Sequence, residues 1–163
     1  MIFNLIFGIV VYLLDQLTKI YVEKSMAYEK SVEVIKGVFR LTYVKNRGVA
    51  FGAFQNMVPV IAVISLIAVV AIIFYFYRKN QEHSLLTRFG FIFIIAGAFG
   101  NLTDRIFRGY VVDFFDFYGI WHYIFNVADV AINVGIVLMI LEFILDKDTP
   151  NKEKKESEEK KDE

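Results

Sequence analysis

The sequence contains no cysteine, which excludes disulfide scaffolds, thiolate metal sites and cysteine nucleophiles together. Its two histidines, His83 and His122, are far apart in the chain and fall in different loops, a poor basis for a metal centre. Neither an HExxH nor a GxSxG pattern occurs, so the usual zinc-peptidase and serine-hydrolase signatures are missing. The serines have no histidine or lysine partner at a suggestive spacing. Formal net charge is zero, and nothing in the balance of charge points to a nucleic-acid partner. The charge is unevenly placed, however. Much of it lies in DKDTPNKEKKESEEKKDE at the end of the chain. With no apolar residue there to offset chain entropy, 146–163 is expected to be a disordered, charged, cytoplasmic tail.

What the chain has in excess is apolar surface: 56% of its 163 residues are hydrophobic, and they are gathered in blocks. A membrane span needs about 20 mostly apolar residues. Four segments satisfy this, at roughly 2–22, 57–77, 85–104 and 120–145. Asp15 interrupts the first, which also lacks a basic leader and a small-x-small cleavage site, so it is expected to be a retained span rather than a cleaved signal peptide. Four spans place both termini on one side. Lysine and arginine divide almost evenly between the two sets of loops, so charge bias does not decide the orientation. The RKNQEH turn and the lysine-rich tail mildly favour cytoplasmic termini. Between the first two spans, Phe39, Leu41 and Tyr43 alternate with Arg40 and Thr42. That period of two predicts short strands, and 31–54 is expected to form a small β platform on the bilayer surface.

The polar residues within this apolar chain converge. An ionisable group in a span costs at least about 2.5–3.5 kcal/mol and is a functional hypothesis by default. Because the chain reverses at each span, Asp15, Asn46, Gly48, Asn101, Asp104, Arg105, Asp113, Asn126 and Asp129 all fall near the membrane face opposite the termini. Asn101, Asp104 and Arg105 share one helical face, as do Asn126 and Asp129. Several have a plainer alternative. Asp104 and Arg105 could be an interfacial ion pair, Asn126 and Asn133 interhelical hydrogen-bond glue, Gly90, Gly97 and Gly100 close helix packing, and Asp116 a solvated loop acid. Such alternatives are weakest for Asp113 and Asp129, whose settings VVDFF and NVADVAI are apolar and hold no base. Two carboxylates in a low-dielectric site share a proton. One can then activate water while the other protonates a carbonyl. A proton-coupled transporter or channel would also use intramembrane acids, though it should carry polar groups at both depths. A non-enzymatic membrane assembly factor would not need two such acids.

DQLTK (15–19), NRGVAFG (46–52), GAFGNLTDR (97–105), VVDFF (111–115) and FNVAD (125–129) occur in that order. Together they resemble the lipoprotein signal peptidase (signal peptidase II) family of intramembrane aspartic peptidases, over nearly all of the chain up to about residue 145. The resemblance implies a transmembrane peptidase domain over 1–145, formed by a four-helix membrane bundle with an extracytoplasmic β platform. Asp113 and Asp129 would be the catalytic pair. Asp15, Asn46, Gly48, Asn101, Asp104, Arg105 and Asn126 would support them or contact substrate. The implied substrate is a diacylglyceryl-modified prolipoprotein, cut just before its lipidated cysteine at the outer face of the bacterial cell membrane. The implied enzyme is a monomer in contact with membrane lipid, without metal or cofactor. The platform and the loop near 114–123 would clamp the substrate. Many members carry a proline shortly before FNxAD, where this chain has IWHYIFNVAD.

Overall fold

The structure is a computed structural model that describes residues 2–48, 54, 56–79 and 84–147. His83, part of NRGVAFG and nearly all of the charged tail lie outside the described residues. The elements run α1 (Ile2–Ser25), β1 (Ser31–Ile35), β2 (Phe39–Asn46), α2 (Val58–Lys79), α3 (Leu85–Phe107), β3 (Val111–Asp116) and α4 (Val127–Lys147). All four helices are long and apolar enough to cross a membrane. Their outer faces carry exposed Leu13, Val63, Ile67, Val137 and Ile144, the arrangement expected where lipid rather than water is the solvent.

The third helix is central and packs against α1, α2 and α4. Glycine makes this possible. A Cβ at Gly90 would lie 3.0 Å from the Gly135 carbonyl oxygen, and one at Gly97 would overlap the Ala128 carbonyl oxygen. In lipid, helix association relies on such close backbone approach. Gly100 does the same for α1, since a Cβ there would strike the Asp15 carboxylate. The expectation of glycine-mediated packing therefore describes the observed contacts.

The platform is a three-stranded antiparallel sheet in the order β1-β2-β3. Its third strand was not anticipated from sequence. VVDFF is buried on both faces, so it lacks the apolar–polar alternation that identifies a half-exposed strand. Val112 and Phe114 pack with Val22 and Tyr43 over the end of α1. On the other face, Asp113 sits opposite Val44. A register shift between Leu41 and Val44 interrupts the β2–β3 ladder, as an extra residue in one strand does.

The fourth helix starts at Val127 rather than at residue 120. Phe125 instead bridges Phe115 of β3; its carbonyl accepts from the Phe114 and Phe115 N–H groups at 3.0 and 2.8 Å. The apolar run IWHYIF therefore forms the approach to the helix, and hydropathy cannot separate the two. Asp116 is likewise no solvated loop acid. It is buried and accepts from Arg40 at 2.6 Å and Thr42 at 2.7 Å.

The packing predicts that Gly97→Ala pushes α3 and α4 apart and costs about 1–3 kcal/mol. Thermal unfolding in detergent should show a clearly lower Tm. Gly8→Ala, whose Cβ would meet only Ile92 Cγ2 at 3.3 Å, should change it little.

Candidate active site

The site is assembled from residues of α1, β2, α3, β3 and α4 at the end of the bundle remote from the start of α1 and the end of α4. Its lowest layer is ionic. Lys19 is fully buried and its ammonium lies 2.9 Å from Asp15 Oδ2, 3.0 Å from Asp104 Oδ2 and 2.9 Å from Asn101 Oδ1. An ammonium has three N–H donors and no acceptor, so these three oxygens satisfy it completely. Each acid continues the network. Asp15 Oδ1 accepts from the Ala128 N–H at 2.9 Å, in the first turn of α4. Asp104 Oδ2 accepts from the Val112 N–H of β3 at 3.2 Å, and Arg108 pairs with Oδ1. Gln16 donates to Asp15, to the Gly100 carbonyl and to Asp104. The ion-pair alternative for Asp104 and Arg105 is therefore replaced. Asp104 pairs with Lys19 and Arg108, while the Arg105 guanidinium donates to the carbonyls of Gly48 at 2.9 Å and Asn101 at 3.2 Å.

The second layer is carboxamide. Asn126 and Asp129 form a reciprocal capping box at the start of α4. The Asp129 N–H donates to Asn126 Oδ1 at 3.0 Å, and the Asn126 N–H donates to Asp129 Oδ2 at 3.1 Å. The Asn126 amide then donates to Asp113 Oδ1 at 2.6 Å and to Asn101 Oδ1 at 3.2 Å. The Asn101 amide donates to Asp129 Oδ1 at 2.8 Å. From the other side, Asn46 Nδ2 donates to Asp113 Oδ2 at 3.0 Å, and Asn46 Oδ1 accepts from the Gly48 N–H at 2.9 Å. Asn46 reaches Asp113 because it stands two positions along β2 from Val44, the residue opposite Asp113, and so leaves the same sheet face. Asn126 thus joins elements as the glue alternative anticipated. Asn133 does not: it donates to the Asp129 carbonyl within its own helix.

All nine residues singled out in the sequence belong to this one network. Sequence reasoning passed over Lys19, Gln16 and Arg108. For Lys19 the signal was available, because a lysine four residues after Asp15 inside a span is itself an intramembrane ion pair.

Above this frame, Asp113 and Asp129 face one cavity of about 1160 Å³, bordered also by Asn46, Asn101 and Arg105 and roofed by the 121–125 segment. Val130, Val134, Val137 and Leu138 continue its wall along α4. Burial pushes the Asp113 carboxyl up to about 7, and the neighbouring Asp129 carboxylate adds to the rise. Hydrogen bonds from Asn46 and Asn126 and the charge of Lys19 oppose it. A carboxyl poised there can hold a proton near neutrality and release it, as a general acid must. Among the described residues, no group of three or more His, Cys, Asp or Glu could hold a metal ion.

The chain matches the family described as Signal peptidase (SPase) II over residues 7–145. It is 46% identical over 136 residues to the lipoprotein signal peptidase of Fusobacterium nucleatum subsp. nucleatum, covering 83% of this chain and 82% of that protein. It is 43% identical over 128 residues to the lipoprotein signal peptidase of Clostridioides difficile, covering 78% of this chain and 85% of that one. Among solved structures, it superposes on a bacterial membrane enzyme determined by the in meso method at 2.3 Å resolution. The TM-score is 0.82 at 32% identity, with 91% of this chain and 90% of the other covered.

The raised Asp113 value predicts a pH-dependent stability difference. A carboxyl whose folded pKa lies above its unfolded one stabilises the fold fully below the unfolded value, and that contribution is lost as pH rises through the folded one. Between about 4 and about 7 the wild type should therefore lose stability relative to Asp113→Asn, by on the order of 1 kcal/mol per pH unit. Melting curves of both proteins across this range check it. A constant difference in Tm would show that Asp113 titrates normally.

Proposed function

Since this chain belongs to the signal peptidase II family and is a peptidase with a membrane-enzyme fold, we propose that it is an intramembrane aspartic endopeptidase removing signal peptides from prolipoproteins. The observation that carries this reading is Asn126. Its side-chain amide holds Asp113, and its backbone N–H and side-chain oxygen hold Asp129. Two acids from different elements are thereby presented together to one cavity with an apolar wall.

In this mechanism Asp113 carries the shared proton and Asp129 is ionised. Asp129 removes a proton from water as the oxygen adds to the scissile carbonyl carbon. Asp113 passes its proton to the carbonyl oxygen, giving a neutral tetrahedral gem-diol. Asp129 then protonates the amide nitrogen, the C–N bond breaks, and a gem-diol proton returns to Asp113 as the new carboxyl forms. Asn46 and Asn126 keep Asp113 aimed, and Asn101 and the capping box keep Asp129 aimed. Arg105 ties the 48 region to α3 at the rim of the cavity.

The substrate is a prolipoprotein whose lipobox cysteine already carries diacylglyceryl, cut immediately before that cysteine. The Val130–Val134–Val137–Leu138 stripe provides an apolar path into the bilayer from the dyad, suited to a signal-peptide helix or acyl chains. A transmembrane peptidase domain over 1–145 acts as a monomer in the bacterial cell membrane. The termini and charged tail are cytoplasmic, and the site is extracytoplasmic.

Purified Asp113→Asn and Asp129→Asn should fold and each lose at least ~10³-fold of their cleavage rate on a lipidated prolipoprotein, as with other acid–base partners. Near-wild-type turnover by either would remove it from the dyad. For the wild type, kcat/KM should fall about tenfold per pH unit once pH exceeds about 7, where Asp113 loses its proton. A chelator should leave the rate unchanged.

A further inference from the structure

The aspartate reading leaves unexplained why a fully buried lysine lies beneath the dyad. Neutralising Asp15 and Asp104 would use only two of its three donors. The third goes to Asn101 Oδ1 at 2.9 Å, and this bond has a consequence at the reaction centre. A carboxamide presents one acceptor oxygen and one donor NH₂. In the observed orientation the Asn101 oxygen receives Lys19 and the Asn126 amide at 3.2 Å. Its NH₂ donates to Asp129 Oδ1 at 2.8 Å. Were the amide reversed, its NH₂ would face two sets of donors and its oxygen would face a carboxylate. Every contact would then be repulsive.

The same bond acts on Asp113. Asn126 has a single NH₂ group, which donates to both Asn101 Oδ1 and Asp113 Oδ1. Keeping the Asn101 oxygen on the Lys19 side therefore gives Asn126 a second acceptor, which holds its amide at Asp113. We propose that Lys19 is a positioning residue of the dyad: it locks Asn101 in the one orientation that gives Asp129 a donor and Asn126 an acceptor. It does not line the cavity, and its hydrogen bond toward the dyad runs through Asn101. The inference rests on the dyad reading above.

Two further features support a positioning role rather than simple charge balance. The local charges alternate: Asp15, Lys19, Asp104, Arg108 and Glu23 follow one another through direct pairs. Arg108 is thus already available to Asp104, so Asp104 does not depend on Lys19 alone. Asp15 is in turn tied to the Ala128 N–H of α4, which fixes the helix carrying Asp129 relative to the lysine. The positioning group and the positioned acid are held on one rigid frame.

The test separates orientation from folding. Lys19→Met alone strands Asp15 in the core and can fail to fold, so the informative variant is Lys19→Met with Asp15→Asn, which restores the wild-type charge balance. Compared with Asp15→Asn alone, the double variant should keep its Tm within a few degrees and its KM within about twofold. Its kcat on a lipidated prolipoprotein should fall about a hundredfold, the scale expected for a misplaced catalytic group. Adding Lys19→Met and Asp15→Asn to Asn101→Ala should lower kcat no further than adding Asp15→Asn does, because the lysine acts through that amide. An unchanged kcat in the double variant, or a full additional loss in the Asn101→Ala background, would overturn the inference. Asp129→Asn is assayed alongside. If it retains activity, the dyad reading itself fails, independently of Lys19.

Discussion

The structure depends on the burial of Lys19 between Asp15 and Asp104. A lysine in a membrane bundle is tolerated only if every donor is matched, because neither water nor lipid can do it. Matching it requires carboxylates from α1 and α3, and those same two carboxylates also accept from backbone N–H groups of α4 and β3. One ammonium therefore fixes three helices and a strand relative to each other. The carboxamides above it inherit their orientations from this arrangement, and the two acids inherit theirs from the carboxamides.

This layering explains how a site made of soft side chains can be firm. Each acid receives donors on both oxygens from different parts of the fold. Asp113 is held from β2 and from the start of α4. Asp129 is held from α3 and by its own helix cap. Both still border a large cavity with an apolar wall. Low polarity around Asp113 favours its protonated form, while its donors prevent the group from withdrawing from the cavity. The apolar surroundings and the polar frame thus act in opposite directions on the same carboxyl, and its value near neutrality is their resultant.

Much of this was legible in the sequence, for identifiable reasons. Hydropathy alone marks four helices, since lipid imposes a minimum apolar length. Chain reversal then brings Asp15, Asn101, Asp104, Asn126 and Asp129 to one end without any knowledge of packing. What was not legible depends on tertiary contact. The strand carrying Asp113 is buried on both faces and so shows no alternation. The segment before Asn126 is as apolar as a span, yet pairs with Phe115. Asp116 looks like a surface acid until Arg40 and Thr42 are seen beside it. Lys19 stands within DQLTK, but only the geometry shows that it is central to the network.

The proposed mechanism requires that Asp113 and Asp129 share one proton, carried by Asp113 near neutral pH. Isotope-edited infrared spectroscopy of aspartate-labelled protein reports it directly through the carbonyl stretch of a protonated carboxyl. In the wild type a protonated-carboxyl band should disappear as pH rises through about 7, and that band should be missing from Asp113→Asn. A spectrum in which the two proteins show the same protonated carboxyls across that range would contradict it.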